Sequence, residues 1–117
     1  MTLGELIIEL KRIRESNPGL ALKQGFADPH SFRGYYNELA FEIQKDQHID
    51  QAIEVAESAV GKVFTGWKGG DFPMDEETDV WWAQEGTSWN ATKITFDVLY
   101  LLTHASGGDI DKGEEYV

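Results

Sequence analysis

The sequence predicts an α+β domain in which a small, mainly antiparallel sheet carries two helices packed on one face. Three observations carry that expectation. Two stretches repeat apolar residues at helical spacing, several short runs alternate with a period of two, and 117 residues suffice for one core but not for two. With only two amphipathic helices, the economical packing lays both on the same side of the sheet. Residues 1–104 are expected to form this single domain. Residues 105–117 are acidic, lack a core-forming pattern and are expected to be a flexible C-terminal tail.

The first helix is signalled at its start by Thr2 and Glu5, spaced as a capping box, and by Leu3, Leu6, Ile7, Leu10 and Ile13 on one face. Lys11, Arg12, Arg14 and Glu15 then face water. Ser16-Asn17-Pro18-Gly19 ends the helix, because proline cannot continue it and glycine supplies turn geometry. From Leu20 to Phe26 the period changes to two, with Leu20, Leu22 and Phe26 on one side and Ala21, Lys23 and Gly25 on the other. A second strand is expected over Tyr35 to Ile43, so that Asp28 to Tyr36 forms the tip of a hairpin. In that strand Leu39, Phe41 and Ile43 share one face, and Tyr36, Glu38, Ala40 and Glu42 share the other. Gln44 to His48 reads as a polar turn.

Ile49, Ile53, Ala56 and Val60 repeat at helical spacing, with Asp50 as an available N-cap and Gly61 as the residue just past the end. Short strands are expected over Lys62 to Trp67 and Val80 to Ala83, separated by a Lys68-Gly69-Gly70 turn and an acidic loop from Asp71 to Asp79. Glu85 to Asn90 reads as a loop. Thr92 to Val98 alternates and predicts a last strand running on towards Leu101; a helix with Ile94, Val98, Leu101 and Leu102 on one face is the alternative.

Composition narrows the function. There is no cysteine, which removes disulfides, thiolate metal sites and a cysteine nucleophile together. No apolar run approaches the roughly 20 residues of a membrane helix, and the N-terminus does not read as a signal peptide, so a cytoplasmic protein with no membrane partner is expected. The net charge of −11 is uneven: residues 1–70 hold 8 Lys or Arg against 10 Asp or Glu, and residues 71–117 hold 2 against 11. Such a field repels phosphates, so direct nucleic-acid binding is not expected.

Chemistry concentrates in Asp28-Pro29-His30-Ser31-Phe32-Arg33-Gly34-Tyr35-Tyr36, which joins an imidazole, a hydroxyl, a guanidinium and three aromatic rings in a chain short of cations. No catalytic residue can be assigned. His30 and Ser31 are adjacent and lack a nucleophile-elbow context, and the histidines His30, His48 and His104 lack metal-ligand spacing, so neither a metal nor a cofactor is expected. Gly66-Trp67-Lys68-Gly69-Gly70 lacks the P-loop pattern. The residue types do suit binding. Arg33 offers a planar fork for phosphate or carboxylate, Lys68 a second cation, and Tyr35, Tyr36, Trp67, Trp81 and Trp82 flat faces for a base.

Pro29 to Tyr36, Leu39-Ala40-Phe41-Glu42, Phe64 to Gly70, and Thr78 to Ala83 with Gly86 together resemble a group of small bacteriophage proteins of undetermined function that share a PHS(F/Y)RGYY motif. The resemblance spans residues 1–90 and is most specific in that motif. It implies expression in the cytoplasm of a bacterial host and, by analogy with other small phage accessory proteins, a counter-defence role; it carries no catalytic residue with it.

Two functions compete on this basis. In the first, His30, Ser31, Arg33, Tyr35, Tyr36, Trp67 and Lys68 form a non-catalytic site that sequesters a small anionic, nucleotide-like ligand. In the second, Asp71, Asp75, Glu76, Glu77, Asp79 and Glu85 imitate nucleic-acid phosphates and bind a basic host defence protein or nuclease. Exposed sheet edges would favour a homo-oligomer in either case.

Overall fold

The computed structural model describes residues 1–32, 38–65, 71–83 and 91–104. Helix α1 spans Leu3–Ser16 and begins with the capping box: Thr2 Oγ1 accepts from the Glu5 N–H, and Glu5 Oε1 accepts from the Thr2 N–H at 2.8 Å. The two remaining N–H groups of its first turn, which have no acceptor within the helix, are met from elsewhere in the chain. Leu3 N donates to Thr78 O at 2.8 Å and Gly4 N to Glu76 O at 2.9 Å. The start of α1 is therefore fully satisfied, and the acidic turn is what satisfies half of it. Leu3, Leu6, Leu10 and Ile13 are buried, as the helical spacing requires.

Strands β1 (Ala21–Ser31) and β2 (Leu39–His48) form the antiparallel hairpin, displaced from its expected position. Asp28, Pro29, His30 and Ser31 belong to β1, not to the loop. Asp28 sits at φ 44 and the register shifts between Ala27 and His30, so a β-bulge absorbs the sequence that reads as a turn. A bulge is also where a strand tolerates proline. At the other end β2 runs through Gln44 to His48, with Asp46 at φ 55, in place of the expected polar turn. Gln44, Lys45, Asp46 and His48 are polar and face solvent, whereas Gln47 is buried.

Helix α2 (Ile49–Ala59) follows without a break. Its N-cap is His48, whose Nδ1 accepts from Asp50 N at 3.1 Å, so Asp50 is the first-turn acid and not the cap. Gly61 at φ 80 ends the helix as expected. β3 (Val63–Thr65) pairs antiparallel with β4 (Asp71–Pro73), a short strand that opens the expected acidic loop. β5 is Val80–Trp82 and β6 is Thr92–Lys93.

The main sheet has the order β1-β2-β5-β6, antiparallel except for the parallel β2–β5 pair. The fold is α+β. Its main core joins α1 and α2 to one sheet face through Leu22, Phe26, Leu39, Phe41, Val80 and Trp82. The expected last strand stops at Lys93, and Phe96–His104 is a third helix, α3. Thr95 starts it: its Oγ1 accepts from Val98 N at 3.2 Å and its carbonyl from Leu99 N at 3.0 Å. Thr95 thus acts as a helix cap and stops the β alternation. Among the described residues no helix is long and apolar enough to cross a membrane. The expected tail, 105–117, lies outside the described residues.

Candidate functional site

Alternation along the strands gives the sheet a second face. His30 pairs with Ala40, Ala40 with Trp81, and Trp81 with Lys93, so one row of residues crosses all four strands. Leu39, Phe41, Val80 and Trp82, the neighbours of Ala40 and Trp81 in sequence, belong to the main core, so this row faces away from α1 and α2. A second, smaller cluster forms there from Phe32, Ala40 and Ala83, with Trp81 and Ala91 packed against it.

This cluster holds the two ends of the segment 33–37. Phe32 N donates to Glu38 O at 2.7 Å and closes the neck. The Phe32 ring stacks on Trp81 with centroids 4.6 Å apart and planes 18° apart, and Trp81 Nε1 donates to Glu38 Oε2 at 3.0 Å. Lys93 Nζ lies 5.8 Å from the Trp81 ring and 3.5 Å from Asp79 Oδ2. Ala83, which precedes residues 84–90, and Ala91, which follows them, belong to the same cluster.

Of the residues expected to bind ligand, His30 and Ser31 lie at the end of β1 and are buried, at 8% and 7% exposure. His30 Nε2 lies 3.0 Å from Glu42 Oε2 and 3.0 Å from Ala83 O, and Nδ1 lies 3.2 Å from Ser31 O. Its ring nitrogens are turned to protein acceptors. Arg33, Tyr35, Tyr36, Trp67 and Lys68 lie outside the described residues. Trp82 cannot offer a face to a ligand: it is buried, stacks on Phe26 at 5.1 Å and donates from Nε1 to Gly25 O at 3.0 Å. Trp81 is half-buried and has Phe32 on its ring.

The acidic surface divides. Asp75 is part of a turn, its Oδ1 accepting from Glu77 N at 2.9 Å and from the Thr78 hydroxyl at 3.3 Å, while Asp75 N donates to Thr78 Oγ1 at 3.0 Å. Asp79 pairs with Lys93, and its carbonyl accepts from Leu39 N. Asp71, Glu76 and Glu77 are exposed, and Glu85 lies outside the described residues. Among the described residues no group of three or more His, Asp or Glu side chains converges as a metal site would require.

Glu38, Glu42 and Lys93 support the neck and do not stand out as site residues in the sequence. The signal for two of them is there: Glu38 and Glu42 alternate with buried Leu39 and Phe41, which places them on the outer face with Ala40. Set against models of protein families, curated proteins and solved structures, the chain has no significant match.

Proposed function

We propose that this protein is a non-catalytic phage accessory factor that captures a small anionic, nucleotide-like ligand through Arg33-Gly34-Tyr35-Tyr36, with Trp67 and Lys68 as further contacts. The observation that carries the reading is the second cluster on the outer face. A sheet this small can leave its outer face polar and wet. Here Phe32, Ala40 and Ala83 are buried there, at 1%, 0% and 5% exposure, around the points where residues 33–37 leave and rejoin the sheet. Holding both ends of a short segment lowers the ordering cost that a ligand would otherwise meet. The segment so held contains a guanidinium and two phenol rings in a chain of net charge −11. Guanidinium binds phosphate in a two-point fork, and phenol rings stack on bases. In this reading His30 and Ser31 shape the neck and do not touch the ligand.

Titration calorimetry against cyclic oligonucleotides and ADP-ribose derivatives tests the proposal. Binding that weakens at least tenfold in Arg33→Ala and falls with ionic strength is expected. No binding across the panel, or binding indifferent to Arg33→Ala, would sink it. The acidic-mimic reading draws less support, because Asp75 and Asp79 are engaged in a turn and an ion pair.

A further inference from the structure

We infer that His30 is a positioning residue for the neck that Phe32, Glu38 and Ala83 form, acting through its Nε2–H as a strap from β1 across β2 to the end of β5. The role in ligand capture rests on the function proposed above; the strap itself rests on geometry alone.

β1 and β5 are not neighbours in the sheet, since β2 lies between them. Adjacent strands sit about 4.8 Å apart, so β1 and β5 are separated by about 10 Å and share no ladder bonds. A side chain must make the link. His30 sits opposite Ala40 in the β1–β2 register, and the methyl side chain of Ala40 leaves the outer face of β2 low enough for an imidazole to reach past it. The ring arrives at Glu42 Oε2 on β2 and at Ala83 O beyond β5, both 3.0 Å from Nε2. Among the described residues, Glu42 is the charged group facing the ring.

The hydrogen must reside on Nε2. A backbone carbonyl can only accept, and a lone pair on Nε2 would face two acceptors. The neutral Nε2–H tautomer and the imidazolium both keep the strap; the neutral form turns the Nδ1 lone pair toward Ser31 O, 3.2 Å away, and the imidazolium donates to it.

The strap matters because β5 is short. Its ladder with β2 ends at the Phe41–Trp82 pair, after which Ala83 N donates to Phe41 O at 3.1 Å. His30 fixes the carbonyl of the same residue. Ala83 then packs with Phe32, so the histidine holds in place one wall of the cluster that closes the 33–37 neck.

Two measurements on the unliganded protein test this, so that a failed ligand panel and a failed strap are distinguishable. Ring ¹⁵N chemical shifts of His30 should report Nε2 protonated at every pH where the protein is folded; a ring protonated on Nδ1 alone overturns the inference. Hydrogen exchange then separates donor from bulk. Glutamine keeps an N–H donor of similar reach, whereas leucine fills the space without one. His30→Gln should keep the Phe32 and Ala83 amides within about threefold of wild-type protection, and His30→Leu should lose about tenfold or more. Wild-type protection in His30→Leu, or an equal loss in both variants, overturns it.

Discussion

The carboxamide of Gln47 pairs with the backbone of Phe26 at both ends, accepting from its N–H at 2.6 Å and donating to its carbonyl at 2.7 Å. Both residues are buried, so these are bonds that water cannot replace. Leaving two buried backbone groups without partners should make Gln47→Leu less stable by about 2–4 kcal/mol. Equilibrium urea unfolding checks this, and a loss below about 0.5 kcal/mol would refute it. The same contact explains Gly25, whose backbone lies against the Gln47 side chain so closely that an added methyl would collide with it. Gly25→Ala should cost about 1–3 kcal/mol through this overpacking.

The acidic turn should prove to be architecture at Asp75 and surface at Glu77. Asp75 organises the carbonyls of Glu76 and Thr78 that receive the first N–H groups of α1. Asp75→Ala should therefore destabilise by about 1–2 kcal/mol, similar to the loss of a helix cap in Thr2→Ala. Glu77→Gln should stay within about 0.5 kcal/mol of wild type. Thermal or urea unfolding of the three variants decides, and equal effects at Asp75 and Glu77 would contradict the division.

Helices α1 and α2 were legible because their signals are local: the Thr2–Glu5 box, the spacing of Leu3, Leu6, Leu10 and Ile13, and Gly61 at φ 80. The hairpin was legible in kind but not in position. Asp-Pro is a strong turn signal, and only the bulge at Asp28 lets both residues remain in β1. The parallel β2–β5 pairing joins Leu39 to Val80 and depends on how the intervening chain folds back, which no local pattern encodes. The site was half legible. The cluster of chemistry at His30 to Tyr36 was plain, but the burial of His30 depends on Ala83, 53 residues away. Trp81 and Trp82 look alike in sequence, and their opposite environments follow only from strand alternation.

That alternation predicts a contrast between the two tryptophans. Trp82 lies in the main core at 1% exposure, and its Nε1 serves the buried Gly25 carbonyl. Trp82→Phe leaves a cavity and an unsatisfied carbonyl and should cost about 2–4 kcal/mol. Trp81→Phe retains a ring against Phe32 and loses one bond to a partly exposed Glu38, so about 1 kcal/mol is expected. Urea unfolding gives both values. A larger loss at Trp81 would reverse the assignment of faces.

Residues 94–101 offer the sharpest test of secondary structure. In a strand, Ile94, Phe96 and Val98 would lie on one face and share one environment. In α3 the burial is different: Leu99 is 2% exposed, whereas Phe96 and Leu101 are 49% and 54% exposed. Leu99→Ala should then cost about 2–4 kcal/mol, and Phe96→Ala should stay within about 1 kcal/mol. The cap adds an independent check, because Thr95→Ala removes the acceptor for Val98 N and should cost about 1 kcal/mol, while Thr95→Ser keeps that acceptor and should cost less. A strand would show the reverse order at Phe96 and Leu99 and little difference between alanine and serine at position 95. Urea unfolding of the four variants therefore distinguishes the helix from the alternating strand by the pattern of losses, not by the size of any one of them.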